Sequence, residues 1–143
     1  MAKLVYGSLA FSTPAETTLA AATPTKASGT TTALVMGDFT MSADNRLRYD
    51  GVTTRDFEVE ISVSLSKASG GATNAMVHIH KNDVHDPLLT IERTLANTSD
   101  IGALGLSVAL TLEQNDYVEI WLETTNGDNL TIEKGQMVVS VLG

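Results

Sequence analysis

Apolar and polar residues alternate along much of this chain. From Phe57 the side chains of Phe57, Val59, Ile61, Val63 and Leu65 fall on one parity, and those of Glu58, Glu60, Ser62, Ser64 and Ser66 on the other. Successive side chains of a strand point to opposite faces, so the pattern predicts a strand with one buried and one wetted face. The same period returns in Leu106, Val108, Leu110 and Leu112, and again in Val118, Ile120 and Leu122. No stretch repeats apolar residues at helical spacing for long enough to build a core helix. The abundant Val, Ile and Thr, branched at Cβ, suit a pleated surface.

Turn-forming residues punctuate the pattern at Gly37-Asp38, Asp50-Gly51, Ser69-Gly70-Gly71, Asn82-Asp83, Asn97 to Asp100, Asn115-Asp116 and Asn126-Gly127-Asp128. They place strands near 4–11, 17–32, 38–49, 56–66, 73–81, 87–95, 103–113, 116–124 and 129–142. Many short strands so spaced indicate an all-β sandwich or barrel. Pro24 cannot donate to a ladder and belongs at a strand edge or start. The Thr- and Ala-rich segment from Thr13 to Thr32 reads as an edge strand in preference to a linker. No internal repeat, heptad or Gly-X-Y stalk is present.

Two features depart from simple alternation. In Met137-Val138-Val139-Ser140-Val141-Leu142 both parities are mostly apolar, and a two-layer sandwich covers only one face of a strand. Tyr117, Glu119 and Trp121 lie on the parity opposite Val118 and Ile120, which puts two large aromatics on an outer face. Both features predict a subunit interface, with Tyr117, Glu119, Trp121, Val138 and Leu142 as its residues.

Composition narrows the functions. At 143 residues the chain has the size of one domain and needs no disulfide or metal to fold. It has no cysteine, which excludes thiol catalysis and thiolate metal sites. The net charge of −8, with nine scattered Lys and Arg, offers no basic stripe for nucleic acid. No apolar run approaches the ~20 residues of a membrane-spanning helix. The apolar stretch after Lys3 is interrupted by Gly7 and Ser8, and it reads as a first strand in preference to a signal peptide.

Phe39-Thr40-Met41-Ser42, Asn45 to Gly51 and Phe57-Glu58-Val59 resemble the early strands of trimeric jelly rolls related to the C1q and tumour-necrosis-factor folds. Val77 to Asp83 looks like that family's middle strand, and Leu110 to Leu112, Asn115 to Trp121 and Val138 to Leu142 like its last three. The resemblance spans about residues 17 to 142 and rests on strand patterns. It implies a two-sheet antiparallel jelly-roll sandwich that assembles as a homotrimer. It also implies that the consecutive strands around 57–65 and 75–80 lie in opposite sheets. The cysteine-free, Thr-rich form is most similar to stand-alone jelly rolls of tailed bacteriophages, which serve as capsid cement or decoration subunits, head fibres and fibre tips. With no collagen stalk, anchor or long shaft in this sequence, the resemblance favours a stud on the exterior of a virion, with the major capsid protein as partner and neither nucleic acid nor membrane involved. The alternative is a receptor- or glycan-binding fibre tip. Residues 1–12, with Leu4, Val5, Leu9 and Phe11, are expected to form a capsid-docking arm or first strand, and 13–143 the jelly roll.

Candidate chemistry is sparse. His78 and His80 share one face of a strand, with His85 and Asp86 nearby, and a third ligand would complete a transition-metal site. The cupin arrangement of Gly, His-X-His and a following Glu is not met: Gly71 is one residue too far away, and no Glu follows until Glu92. Glu58/Glu60 and Glu119/Glu123 alternate with apolar residues as a wetted or interfacial face does. Asn126 to Asn129 could ligate calcium, but a turn accounts for them. The expectation is a protein without catalytic residues, cofactor or metal.

Overall fold

A computed structural model describes residues 4–142. The described chain forms twelve strands: β1 (Tyr6–Pro14), β2 (Glu16–Thr17), β3 (Thr25–Lys26), β4 (Gly29–Gly37), β5 (Phe39–Ala43), β6 (Arg46–Tyr49), β7 (Arg55–Lys67), β8 (Thr73–Lys81), β9 (Thr90–Leu95), β10 (Gly102–Leu112), β11 (Tyr117–Thr124) and β12 (Leu130–Val141). They build two antiparallel sheets. The first runs β10-β7-β12-β1-β4 with β2 beside β12; the second runs β5-β6-β11-β8-β9 with β3 beside β11. The jelly-roll sandwich expected from the alternation and the resemblance is the fold observed.

Parity places the core. Phe57, Val59, Ile61, Val63 and Leu65 of the first sheet and Val77, Ile79, Val118, Ile120 and Leu122 of the second are buried together. At one end the rings of Phe39, Tyr49 and Phe57 meet with centroids 4.9–5.4 Å apart, and the Tyr49 hydroxyl donates to the Thr53 carbonyl at 2.7 Å. β7 and β8 follow one another in the chain yet lie in different sheets, so Glu60 stands opposite Ser107 and Val138 while His80 pairs with Glu119.

Two predicted strands are broken. The expected 38–49 strand is a hairpin of β5 and β6, turned by Asn45 in the left-handed region at φ 57°. That turn leaves the Asn45 amide fully buried, where it acts as a short piece of strand. Its Nδ2 donates to the Ile120 carbonyl at 2.7 Å and its Oδ1 accepts from the Ile120 N–H at 3.0 Å. The expected 17–32 strand is divided among β2, β3 and the start of β4, which serve both sheets; Gly29 at φ 138° opens β4.

Of the arm or first strand expected over residues 1–12, the described part from Tyr6 is a strand, and residues 1–3 lie outside the described residues. β1 is hydrogen-bonded on both sides, to β12 and β4, and runs through residue 12 without a boundary. Leu9 is fully buried, and Val5 and Phe11 are 8% exposed; Leu4 alone of the four faces solvent. The alternation of this segment encodes a core strand. Leu9→Ala is therefore expected to lower unfolding stability by about 2–5 kcal/mol in denaturant titration. Retention of wild-type stability would contradict the burial of Leu9 in the core.

Candidate functional site

A sandwich whose core is closed has two outer faces on which to act. On the second sheet, β11 points Tyr117, Glu119, Trp121 and Glu123 outward, and its register sets Glu119 opposite His80 and Trp121 opposite His78. Glu119 is fully buried there by its neighbours. Its Oε2 receives the Lys26 ammonium at 2.7 Å and Arg46 Nε at 2.8 Å, and its Oε1 accepts from Trp121 Nε1 at 3.1 Å. The Arg46 guanidinium also lies 4.1 Å over the Tyr117 ring. Glu119 thus gathers β3, β6 and β11 within one chain.

The histidines continue this face. His80 is 1% exposed and stacks on Trp121 with centroids 4.1 Å apart and planes 16° apart. Its Nε2 meets His85 Nδ1 at 3.2 Å, and its buried Nδ1 has no hydrogen-bond partner among the described residues. Burial first, then the neighbouring His78 and His85, push the His80 imidazole down to about 4, against the pull of Asp83. His78 meets Thr90 Oγ1 at 2.6 Å and Glu123 Oε1 at 2.8 Å. Burial outweighs Glu123 and holds its basicity below the ordinary value. Hydroxyl, imidazole and carboxylate stand in the order of a hydrolytic triad. With His78 only 2% exposed, the arrangement works as a strap across β8, β9 and β11. Both His78 nitrogens are engaged, and the described residues contain no group of three His, Asp or Glu poised around a cation.

The Asn126–Asn129 turn carries a cation of its own. The buried Lys67 ammonium sits 2.7 Å from Asp128 Oδ2 and donates to the Gly71 carbonyl. This hydrogen bond from Lys67 leads the causes that hold the Asp128 carboxyl below the usual range.

The outer face of the first sheet differs in character. Across β10, β7, β12 and β1 one row reads Gly105, Ser62, Gln136 and Ala10; the next reads Ser107, Glu60, Val138 and Ser8. Most of these side chains are small, and the first row is uncharged. Ser107 Oγ donates to Glu58 Oε1 at 2.8 Å. The hydrogen bond between Glu58 and Glu60, followed by their mutual repulsion, raises the Glu60 carboxyl above its ordinary value.

The five interface residues predicted from sequence therefore form no single patch. Tyr117, Glu119 and Trp121 stand on the second sheet, Glu119 consumed by contacts within the chain. Val138 is half-buried on the opposite side of the sandwich, and Leu142 is exposed beyond the end of β12. Asn45 and Lys67 escaped sequence reading. A lone Asn in a predicted strand and a Lys ending one give no sign of the partners that long-range folding supplies.

This geometry defines a TNF-like jelly roll, and solved structures match it along its whole length. The chain is similar to Eiger TNF from S. frugiperda, at TM-score 0.63 and 13% identity over 99% of this chain and 94% of that one. It is similar to murine APRIL, at TM-score 0.57 and 11% identity over 94% and 98%. The PRD1 vertex protein P5 matches at TM-score 0.59 and 12% identity, covering 100% of both chains. No family model and no curated protein matches the sequence.

Removing the Glu119 carboxylate leaves Lys26, Arg46 and the Trp121 N–H without their common acceptor. Glu119→Ala is expected to cost about 1–3 kcal/mol in denaturant titration, the cations being partly solvated. A change below 0.5 kcal/mol, roughly that of an ordinary surface substitution, would contradict the hub.

Proposed function

We propose that this protein is a homotrimeric structural subunit of a virion, serving as cement or decoration on the exterior of a bacteriophage capsid. The observation that supports the reading is the match to the PRD1 vertex protein P5, whose compared chain and this one share the same fold over their full compared lengths. The resemblance to trimeric jelly rolls supports the assembly state. Histidines and acids that are engaged with one another support a mechanical role over a catalytic one. Each trimer would bridge neighbouring copies of the major capsid protein and add contact area that resists expansion of the shell.

Within the trimer, the outer face of the first sheet is the surface that meets a second copy. Its small side chains permit close approach, its central row brings no charge to be desolvated, and Val138 supplies apolar area there. Tyr117 and Trp121 are accounted for by contacts inside the chain.

Light scattering is expected to give the mass of three chains at micromolar concentration. Ser62→Arg should reduce it to one chain with the fold intact, and Trp121→Ala should leave the trimer assembled. A monomeric wild-type protein, or dissociation by Trp121→Ala and not by Ser62→Arg, would contradict this arrangement. On particles, cement is expected in hundreds of copies; a handful of trimers per virion would favour the fibre-tip alternative.

A further inference from the structure

The turn between β8 and β9 carries residues 82–89 over the outer face of the second sheet. Its entry is fixed by Asn82, whose Oδ1 accepts from the Tyr117 N–H at 3.0 Å and whose Nδ2 donates to Asp116 at 2.8 Å. Its exit is fixed by the Leu89 carbonyl, which accepts from the Ile79 N–H at 3.0 Å. The middle is held differently. His85, itself exposed, reaches back to His80, which lies buried against Trp121.

We propose that His80 and His85 form an acid-sensitive latch: the hydrogen bond between the two neutral rings holds loop 82–89 on the sheet, and proton uptake by His80 releases it. A hydrogen bond between imidazoles needs one ring nitrogen with a proton and one without. A proton taken up by His80 makes both of its ring nitrogens donors, and its Nδ1 is buried with no acceptor among the described residues, so the charged ring is left unsatisfied unless the loop opens it to water. His78 stands 4.8 Å from His85 and 5.8 Å from His80 between centroids, so a third ring adds repulsion whenever it is charged.

The surrounding charges do not rescue a buried imidazolium. From β8 itself come His78 and Lys81, and from the loop Asp83, Asp86 and His85. β11 supplies Glu119 and Glu123, β6 supplies Arg46, β3 supplies Lys26, and β9 supplies Glu92. Glu119 is already engaged by Lys26 and Arg46, and Glu123 by His78. Asp83 attracts a charge on His80 but is outweighed by burial and the two other histidines. The exposed His85 can instead swing to water and carry the loop with it, opening His80 to solvent.

The sign follows from linkage. His80 titrates at about 4 when latched, against an ordinary value of 6.5, so the open state binds the proton more tightly. The latch is at full strength above about pH 6.5, weakens about tenfold per pH unit below it, and levels off near pH 4.

Hydrogen exchange of the whole protein, corrected for intrinsic rates, tests this at Val84 and Leu89, whose amides bond to Lys81 and Asp86 within the loop. Between pH 7.5 and 5 their protection should fall by about 30-fold for one proton taken up, while amides 117–124 of β11 stay protected. His85→Ala should show low loop protection already at pH 7.5 and no further fall at pH 5. As a second readout, Trp121 is the only tryptophan, and its emission should change over the same range through the stacked imidazole; His80→Phe should abolish the change. Equal loop protection at pH 7.5 and 5, loss of β11 protection together with the loop, or an unaltered pH response in His85→Ala would each overturn the latch.

Discussion

The inter-sheet core is the constraint on which the rest of this structure depends. Strand side chains alternate strictly, so once Phe57 to Leu65 and Val118 to Leu122 are committed inward, every intervening residue is committed outward. Glu119 is then forced onto an outer face, where a bare carboxylate under Trp121 would be costly. Lys26 and Arg46 offset that cost from two other strands. The same parity delivers Ser62, Gly105, Gln136 and Ala10 to the far side as a low, uncharged row. The two outer faces differ because the residues left over from the core differ.

The contrast has a mechanical consequence. On the second sheet the long side chains satisfy one another, so that face is knit together within a single chain. On the first sheet most side chains are short, and polar groups there bond in small local sets: Ser107 and Glu60 with Glu58, Thr111 with Asp56 and Ser66 with Glu133. A surface of the first kind gains little from a partner. One of the second kind gains close backbone approach and apolar contact when another copy covers it. The two faces are thus divided between one suited to close approach and one held rigid within the chain.

Much of the fold was legible in the sequence because the core writes itself as a period of two. β7, β8, β10, β11 and β12 fall within a residue or two of their expected bounds, and the turns at Asp38, Asn82-Asp83 and Asn115 carry the positive φ their residue types suggest. What the sequence left open shares a physical origin. Asn45 sits in a run that reads as a strand, and only its distant partner Ile120 explains why the chain turns there. Nothing local in the N-terminal segment shows that β12 and β4 flank it. The interface prediction joined Trp121 and Val138 because parity says that a residue faces outward and does not say out of which sheet. Pairing His80 with Trp121 likewise depends on the register of β8 against β11, which no local pattern encodes.

The most direct measurement of the proposed role is a structure of the assembled protein in place on a virion. A threefold-symmetric stud is expected, with Ser62, Gly105 and Val138 buried between subunits, the Glu119 and His80–Trp121 contacts kept within each chain, and the stud seated on the capsid exterior. A monomeric jelly roll, or an assembly built through Tyr117 and Trp121 with the first sheet left open to solvent, would contradict it.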